Sequence, residues 1–285
     1  MFSSRSQLLD SDLIARSPAF ASLAPMLARL DLSSFPSRAQ LQRLLDEAQV
    51  VNANGGRIEL VAAASPHDQR ASYEHRVYDS AEVEQREHSV HDFFNAMIWA
   101  TLPHAKAALN RRHVAAMASE SPGRRGPMRD ALTAFDEDGL VVVSSEPSLL
   151  DLLHDFQWKT LFWTRRAEAL RCMRWFVFGH AQYEKFLTPY VGMTAKALTF
   201  EVSESFICSP IARQLEDIDA QLARSLRDDA RLSSPRGLAP VPVLGIPGWW
   251  AANADEIFYD DANYFRAGRL RASASAASAQ PRGVP

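Results

Sequence analysis

His91, Asp92 and Asn95 open the stretch SVHDFFNAMIWATLPHAK, residues 89–106, in which most other side chains are apolar. On a helix His91 and Asn95, four apart, share a face, and Asp92 lies one position round. Such a set can cap a helix start, ligate a metal, or let a carboxylate orient an imidazole for proton transfer. A second group of the same kind stands in FGHAQYEKFL, residues 178–187. There Gly179 separates an apolar run from a helical one, His180 and Glu184 are four apart, and Lys185 follows. As a plain helix pair His180 and Glu184 are worth roughly 0.2–0.5 kcal/mol. As chemistry they are two metal ligands, or a base with its orienter. The HExxH pattern of zinc proteases is missing, so no protease class follows.

Three further groups carry polar chemistry. Lys106, Asn110 and His113 fall at i, i+4 and i+7, opposite Leu102, Ala105 and Leu109. They form either a solvated face or a cation, amide and imidazole suited to a small anion. RDALTAFDEDG, residues 129–139, offers Arg129 for an anion and Asp136, Glu137 and Asp138 as oxygen ligands or as turn residues. In ANADEIFYDD the acidic residues read as turn and surface groups, with Phe258 and Tyr259 as anchors. No dinucleotide-binding glycine motif, phosphate-binding loop, nucleophile elbow or CxxC pair is present.

These groups need elements to position them. Residues 1–36 read as irregular, 37–266 as one globular domain and 267–285 as a disordered, low-complexity tail. SRAQLQRLLDEAQ (37–49) is an amphipathic helix that Ser37 can cap. GGRIELVAAA and YEHRVYD read as short strands. A helix runs from His91, Pro103 breaks or restarts it, and it continues to about Met117. ALTAF and LVVVS, joined by DEDG, predict a hairpin. One apolar helix is expected over EPSLLDLLHDFQWKTLFW, strands over MRWFVF and ALTFEV, and a helix over 211–226. VPVLGIPGWW and FYDDANYFR are too aromatic for linker and should pack on the body. The fold class is therefore α+β, helix-dominated, a single domain with short strands including one hairpin.

Composition narrows the functional classes. A formal charge of −3 across 285 residues offers no global basic field, which disfavours nucleic acid. No apolar run reaches the ~20 residues of a membrane span, and Asp10 and Asp12 interrupt the N-terminus before a signal peptide could form. The expectation is a soluble, cytoplasmic protein with no membrane partner. Cys172 and Cys208 read as buried free thiols. Of 31 basic residues only Lys106, Lys159, Lys185 and Lys196 are lysines, which hints at places where arginine's planar fork does not serve.

Taken in order, YEHRVY, HDFFNAMIWATLPHAKAALNRRH, RDALTAFDEDG, FGHAQYEKFL, LGIPGWW and FYDD resemble a bacterial family known as domain of unknown function 3025. The resemblance spans about residues 57–266. Val90 stands where that family commonly has Trp, and Gln85 where it commonly has Thr. The family brings no activity, fold or cofactor with it.

The leading functional expectation is a hydrolytic or group-transfer enzyme with a His/carboxylate site, metal-assisted where an ion binds. His91, Asp92, His180 and Glu184 would be its catalytic residues, with Asp136 or Glu137 nearby. Asn95, Lys106, Asn110, His113 and Arg129 would bind a small anionic substrate. The alternatives are a non-catalytic module for a small anion or partner, and a purely structural polar network. Metal, cofactor and oligomeric state are left open.

Overall fold

A computed structural model describes residues 9–63, 72–121, 123–228 and 230–268. Helices α1 (Ser11–Arg16) and α2 (Ala24–Leu27) flank a 3-10 turn, Pro18–Leu23, in the stretch expected to be irregular. The turn carries Phe20 and Leu23 into the core. Helix α3 (Arg38–Glu47) starts as predicted: Ser37 and Gln40 form a reciprocal capping box, and Leu41, Leu44 and Leu45 are buried. Strand β1 (Glu59–Val61) pairs in parallel with β2 (Glu82–Glu84). A parallel pair needs a crossover, and a helical segment supplies it. This is α4 (Tyr73–His75), continued by a π-turn over Arg76–Ser80.

The strand expected over 73–79 is thus a helix. Ser72 caps it by accepting the His75 N–H. Its inward residues, Tyr73 and Val77, are four apart, so the spacing that read as alternation serves a helical face equally well.

Helix α5 (Val90–Thr101) is buried at 11 of its 12 positions and forms the centre of the molecule. It stops at Leu102 because Pro103 cannot continue the ladder and disfavours helical backbone before it. Pro103 then opens α6 (Pro103–Ala118), which has no side-chain cap of its own. The cap comes from elsewhere: Asp219 accepts the His104 and Ala105 N–H groups at 3.1 and 2.7 Å, and the His104 ring at 2.7 Å. Asp219→Ala should cost about 2 kcal/mol in urea denaturation, because two helix-end donors lose their acceptor.

The predicted hairpin is not formed. Residues 131–135 lie in helix α7 (Pro127–Asp138), which passes at Gly139 directly into strand β3 (Gly139–Ser144). Pro127 favours a helix start, and Ala131, Leu132 and Phe135 bury one helical face. All six residues of β3 are buried, in keeping with their unbroken apolar run. The long apolar helix expected next ends early: α8 (Pro147–His154) gives way to Phe156 at a φ of 59°, and a π-turn follows over Thr160–Thr164.

Helix α9 (Arg166–Cys172), strand β4 (Met173–Val177) and helix α10 (His180–Phe186) follow. Next come β5 (Thr194–Glu201), α11 (Glu204–Ile207), α12 (Ile211–Asp228) and β6 (Ala239–Pro242). The strands order as β4-β3-β5-β6, with β3 and β5 parallel and both outer pairs antiparallel. Helix α12 packs along α6, and α10 lies across α5 and α7. Val243, Leu244, Tyr259 and Phe265 are buried, so the aromatic C-terminal segments do pack on the body. Both cysteines are free, but neither is buried: Cys172 is half-buried and Cys208 exposed. The tail expectation falls outside the described residues from 269 onward. The fold is α+β, as its composition of elements implied.

Candidate functional site

Two element junctions bring the chemistry together. At the first, Ser89 caps α5 by accepting the Asp92 N–H, which leaves His91 on the first turn. At the second, β4 ends against the α7–β3 junction. Gly139 O accepts the N–H groups of both Phe178 and Gly179 at 2.9 Å. A Cβ on Gly179 would lie 2.3 Å from Glu137 O, so only glycine permits this approach. His180, the next residue, therefore begins α10 beside Asp136 and Glu137.

The two imidazoles meet edge to face, with ring centroids 4.4 Å apart and Nε2 facing Nε2 at 2.9 Å. Glu137 Oε2 lies 3.6 Å from His180 Nε2. One ligand atom each from His91, His180 and Glu137 falls within 4.8 Å of the others. Carboxylates stand behind both rings. Glu184 Oε2 is 3.3 Å from His91 Nδ1, and Asp136 Oδ2 is 3.8 Å from His180 Nδ1.

The other predicted residues have definite places. Asp92 does not serve His91; both its oxygens accept from Arg86, through the backbone N–H, Nε and Nη2 at 2.7–2.8 Å. Burial opposes its charge, but these bonds hold its carboxyl below the usual range. Asn95 donates to the Tyr73 hydroxyl at 3.0 Å. Lys106, Asn110 and His113 are buried, not solvated. Lys106 donates to Asp136 at 2.5 Å and lies 5.7 Å from the Trp99 ring centroid. Asn110 donates to the carboxylate and the backbone carbonyl of Glu74 at 2.6 and 3.0 Å. Arg129 pairs with Glu120 at 2.8 Å. The positive charges of Lys106 and Arg129 are thus taken up by internal carboxylates.

A cavity of about 220 Å³ runs from the two histidines to Tyr73, Glu74, Asn95 and His113. Burial resists the charge of Asp136, but Lys106 and His180 bring its carboxyl down to about 2. Glu74 is pushed up to about 7, by burial first and by Asp136 second. Burial lowers His180 and His113 each to about 4.

For His113 the consequence can be tested. The unfolded ring protonates near 6.5 and the folded ring near 4, so stability is complete above pH 6.5 and declines as pH falls towards 4. The His113 share of the loss should be on the order of 3 kcal/mol. His113→Gln should remove that share, leaving the part due to His180, in denaturation curves taken across that window.

Glu74, Tyr73 and Arg86 are the site residues the sequence reading passed over. The first two fall in the stretch whose alternation predicts a strand. The i, i+4 spacing of Tyr73 and Val77 behind a capping serine was the available signal. For Arg86 there was none, since its partner Asp92 is assigned only by the loop between them.

The chain belongs to the family described as protein of unknown function (DUF3025), whose family model matches residues 58–269. No curated protein and no solved structure matches it. Among the described residues no helix is long and apolar enough to cross a membrane.

Proposed function

We propose that this member of the DUF3025 family is a metal-assisted enzyme of the hydrolytic or group-transfer kind, with a divalent ion held by His91, His180 and Glu137. One observation carries the reading: His180 Nδ1 is buried and, among the described residues, has no hydrogen bond of good geometry, the Asp136 carboxylate standing 3.8 Å away. A neutral imidazole has one N–H and one bare nitrogen. With both rings neutral and His91 Nδ1–H donating to Glu184, His91 Nε2 is bare, and the 2.9 Å contact then needs the proton on His180 Nε2. That leaves His180 Nδ1 bare, buried and facing the Asp136 carboxylate, lone pair against lone pair. With both Nε2 atoms on an ion, both Nδ1 atoms carry protons and each points at a carboxylate. This is the usual outer-shell arrangement of metal-bound histidine.

The distances agree. Two nitrogens on one ion, with bonds of about 2.1 Å, stand roughly 2.9–3.4 Å apart, depending on the coordination angle. Two histidines and one carboxylate leave positions open for water and substrate. When bound, such an ion lowers the pKa of a coordinated water towards neutrality and polarises a substrate oxygen. Glu184 and Asp136 hold the rings in the required tautomer, and Lys106 keeps Asp136 ionised. Glu137 completes the ligand set from the end of α7.

The test is a panel of chromogenic esters, amides and phosphodiesters, assayed with protein loaded in turn with zinc, manganese and iron(II). Hydrolysis of one class should vanish on chelation and return with metal. A protein that takes up none of the three ions would refute the reading.

A further inference from the structure

The cavity beside the two histidines is rich in hydrogen-bond acceptors. Its lining includes five carboxylates, those of Glu74, Glu84, Asp92, Asp136 and Glu137, and one guanidinium, that of Arg86. Most of these charges are already matched inside the protein. Arg86 is held by Asp92, Arg76 by Glu84 at 2.5 Å, and Lys106 by Asp136. Glu137 belongs to the ion-binding group. Glu74 remains: its Oε2 accepts from Asn110, and among the described residues Oε1 accepts no hydrogen bond.

Independent observations point to a ligand at the same place. Asn95 is only 7% exposed, and among the described residues its buried Oδ1 has no donor, although its Nδ2 donates to the Tyr73 hydroxyl. His113 is 4% exposed, lines the cavity, and makes no hydrogen bond among the described residues. A buried polar atom without a partner is expensive to keep, which is the pattern of a site shaped for something else.

We propose that this cavity binds a small organic cation carrying several N–H donors, an amidinium or guanidinium, through the Glu74 carboxylate and the Asn95 amide oxygen. A planar fork of N–H groups matches a carboxylate in two parallel hydrogen bonds and still has donors for an amide oxygen. A small anion meets the opposite sign: the one lining guanidinium is occupied, and the Glu74 carboxylate and the bare Asn95 amide oxygen repel it. At about 220 Å³ the space lies below the 300–1,000 Å³ typical of sites for drug-sized ligands, so the guest is small. As a substrate assignment this rests on the metal-assisted reading; as a binding site it does not.

Benzamidine, benzamide and benzoate share one shape and differ in charge and donors, which makes them suitable probes. Each is titrated by NMR into metal-free and zinc-loaded protein, with zinc content measured on the same samples. Benzamidine should saturate a single site at least about tenfold more tightly than benzamide or benzoate, and Glu74→Gln should weaken it about tenfold with zinc content unchanged. Should Glu74→Gln not fold, Asn95→Asp supplies the second variant, and it should tighten benzamidine at least about threefold. Benzoate binding as well as benzamidine, no saturable benzamidine binding, or indifference to the variant that folds would each overturn the site. Zinc bound without benzamidine refutes this inference and spares the metal centre. Benzamidine bound without zinc does the reverse.

Discussion

His180→Ala should lower the affinity for a divalent ion by more than about 100-fold, since even outer-shell partners of a metal histidine are worth 10–100-fold. His91→Ala should do the same, because the two rings supply the facing nitrogens. Glu184→Gln is the more discriminating change. It touches no ligand atom directly, and His91 Nδ1–H can still donate to the amide oxygen, though to a neutral acceptor. An affinity loss of about tenfold is expected there, with the fold intact. The measurement is competition for zinc against a chromophoric chelator, with circular dichroism as the control for folding. If His91→Ala and His180→Ala bind zinc like the unaltered protein, the two rings are no ligands, and their contact is a hydrogen bond between side chains.

Lys106→Met should destabilise the protein by about 3–5 kcal/mol in urea denaturation at pH 7, the cost of leaving a buried charge without its partner. Lys106 is 4% exposed and its partner Asp136 16%. Without the ammonium, Asp136 faces Glu74 and Glu137 with no cation in contact, and either it protonates or the helix end shifts. Adding Asp136→Asn should return at least about half of the loss, since a buried pair replaced on both sides is close to neutral. A single change costing under about 1 kcal/mol would mean that the pair is solvated, like an ordinary surface ion pair. The rarity of lysine in this chain pointed to such a place: a compact ammonium reaches Asp136 while lying near the Trp99 ring.

Much of the local architecture was legible because its causes are local. Ser37 and Gln40 announce α3, Pro103 divides α5 from α6, and Gly179 turns a strand into a helix. Each of these acts through backbone geometry or hydrogen bonding within a few residues. Where local signals are two-sided, the tertiary structure differs from the local expectation. ALTAF carries apolar residues compatible with either period, and the burial of Ala131, Leu132 and Phe135 on one face settles it as helix. YEHRVYD has the same ambiguity, and the parallel pairing of β1 with β2 demands a crossover there.

By itself the sequence determined which side chains stand at the mouths of helices: His91 on the first turn of α5, and His180 at the start of α10 with Glu184 one turn on. It could not determine partners. Asp92, next to His91 in the chain, turns to Arg86, while Glu184 leaves its helix neighbour His180 and reaches His91. Only the packing of α10 across α5 and α7 decides this, because it brings together rings 89 residues apart and sets Asp136 behind one of them. A residue's neighbours along a helix follow from its period, whereas its partners across helices follow from how the apolar faces stack. That stacking is settled by the whole core at once, and no short stretch of sequence contains it.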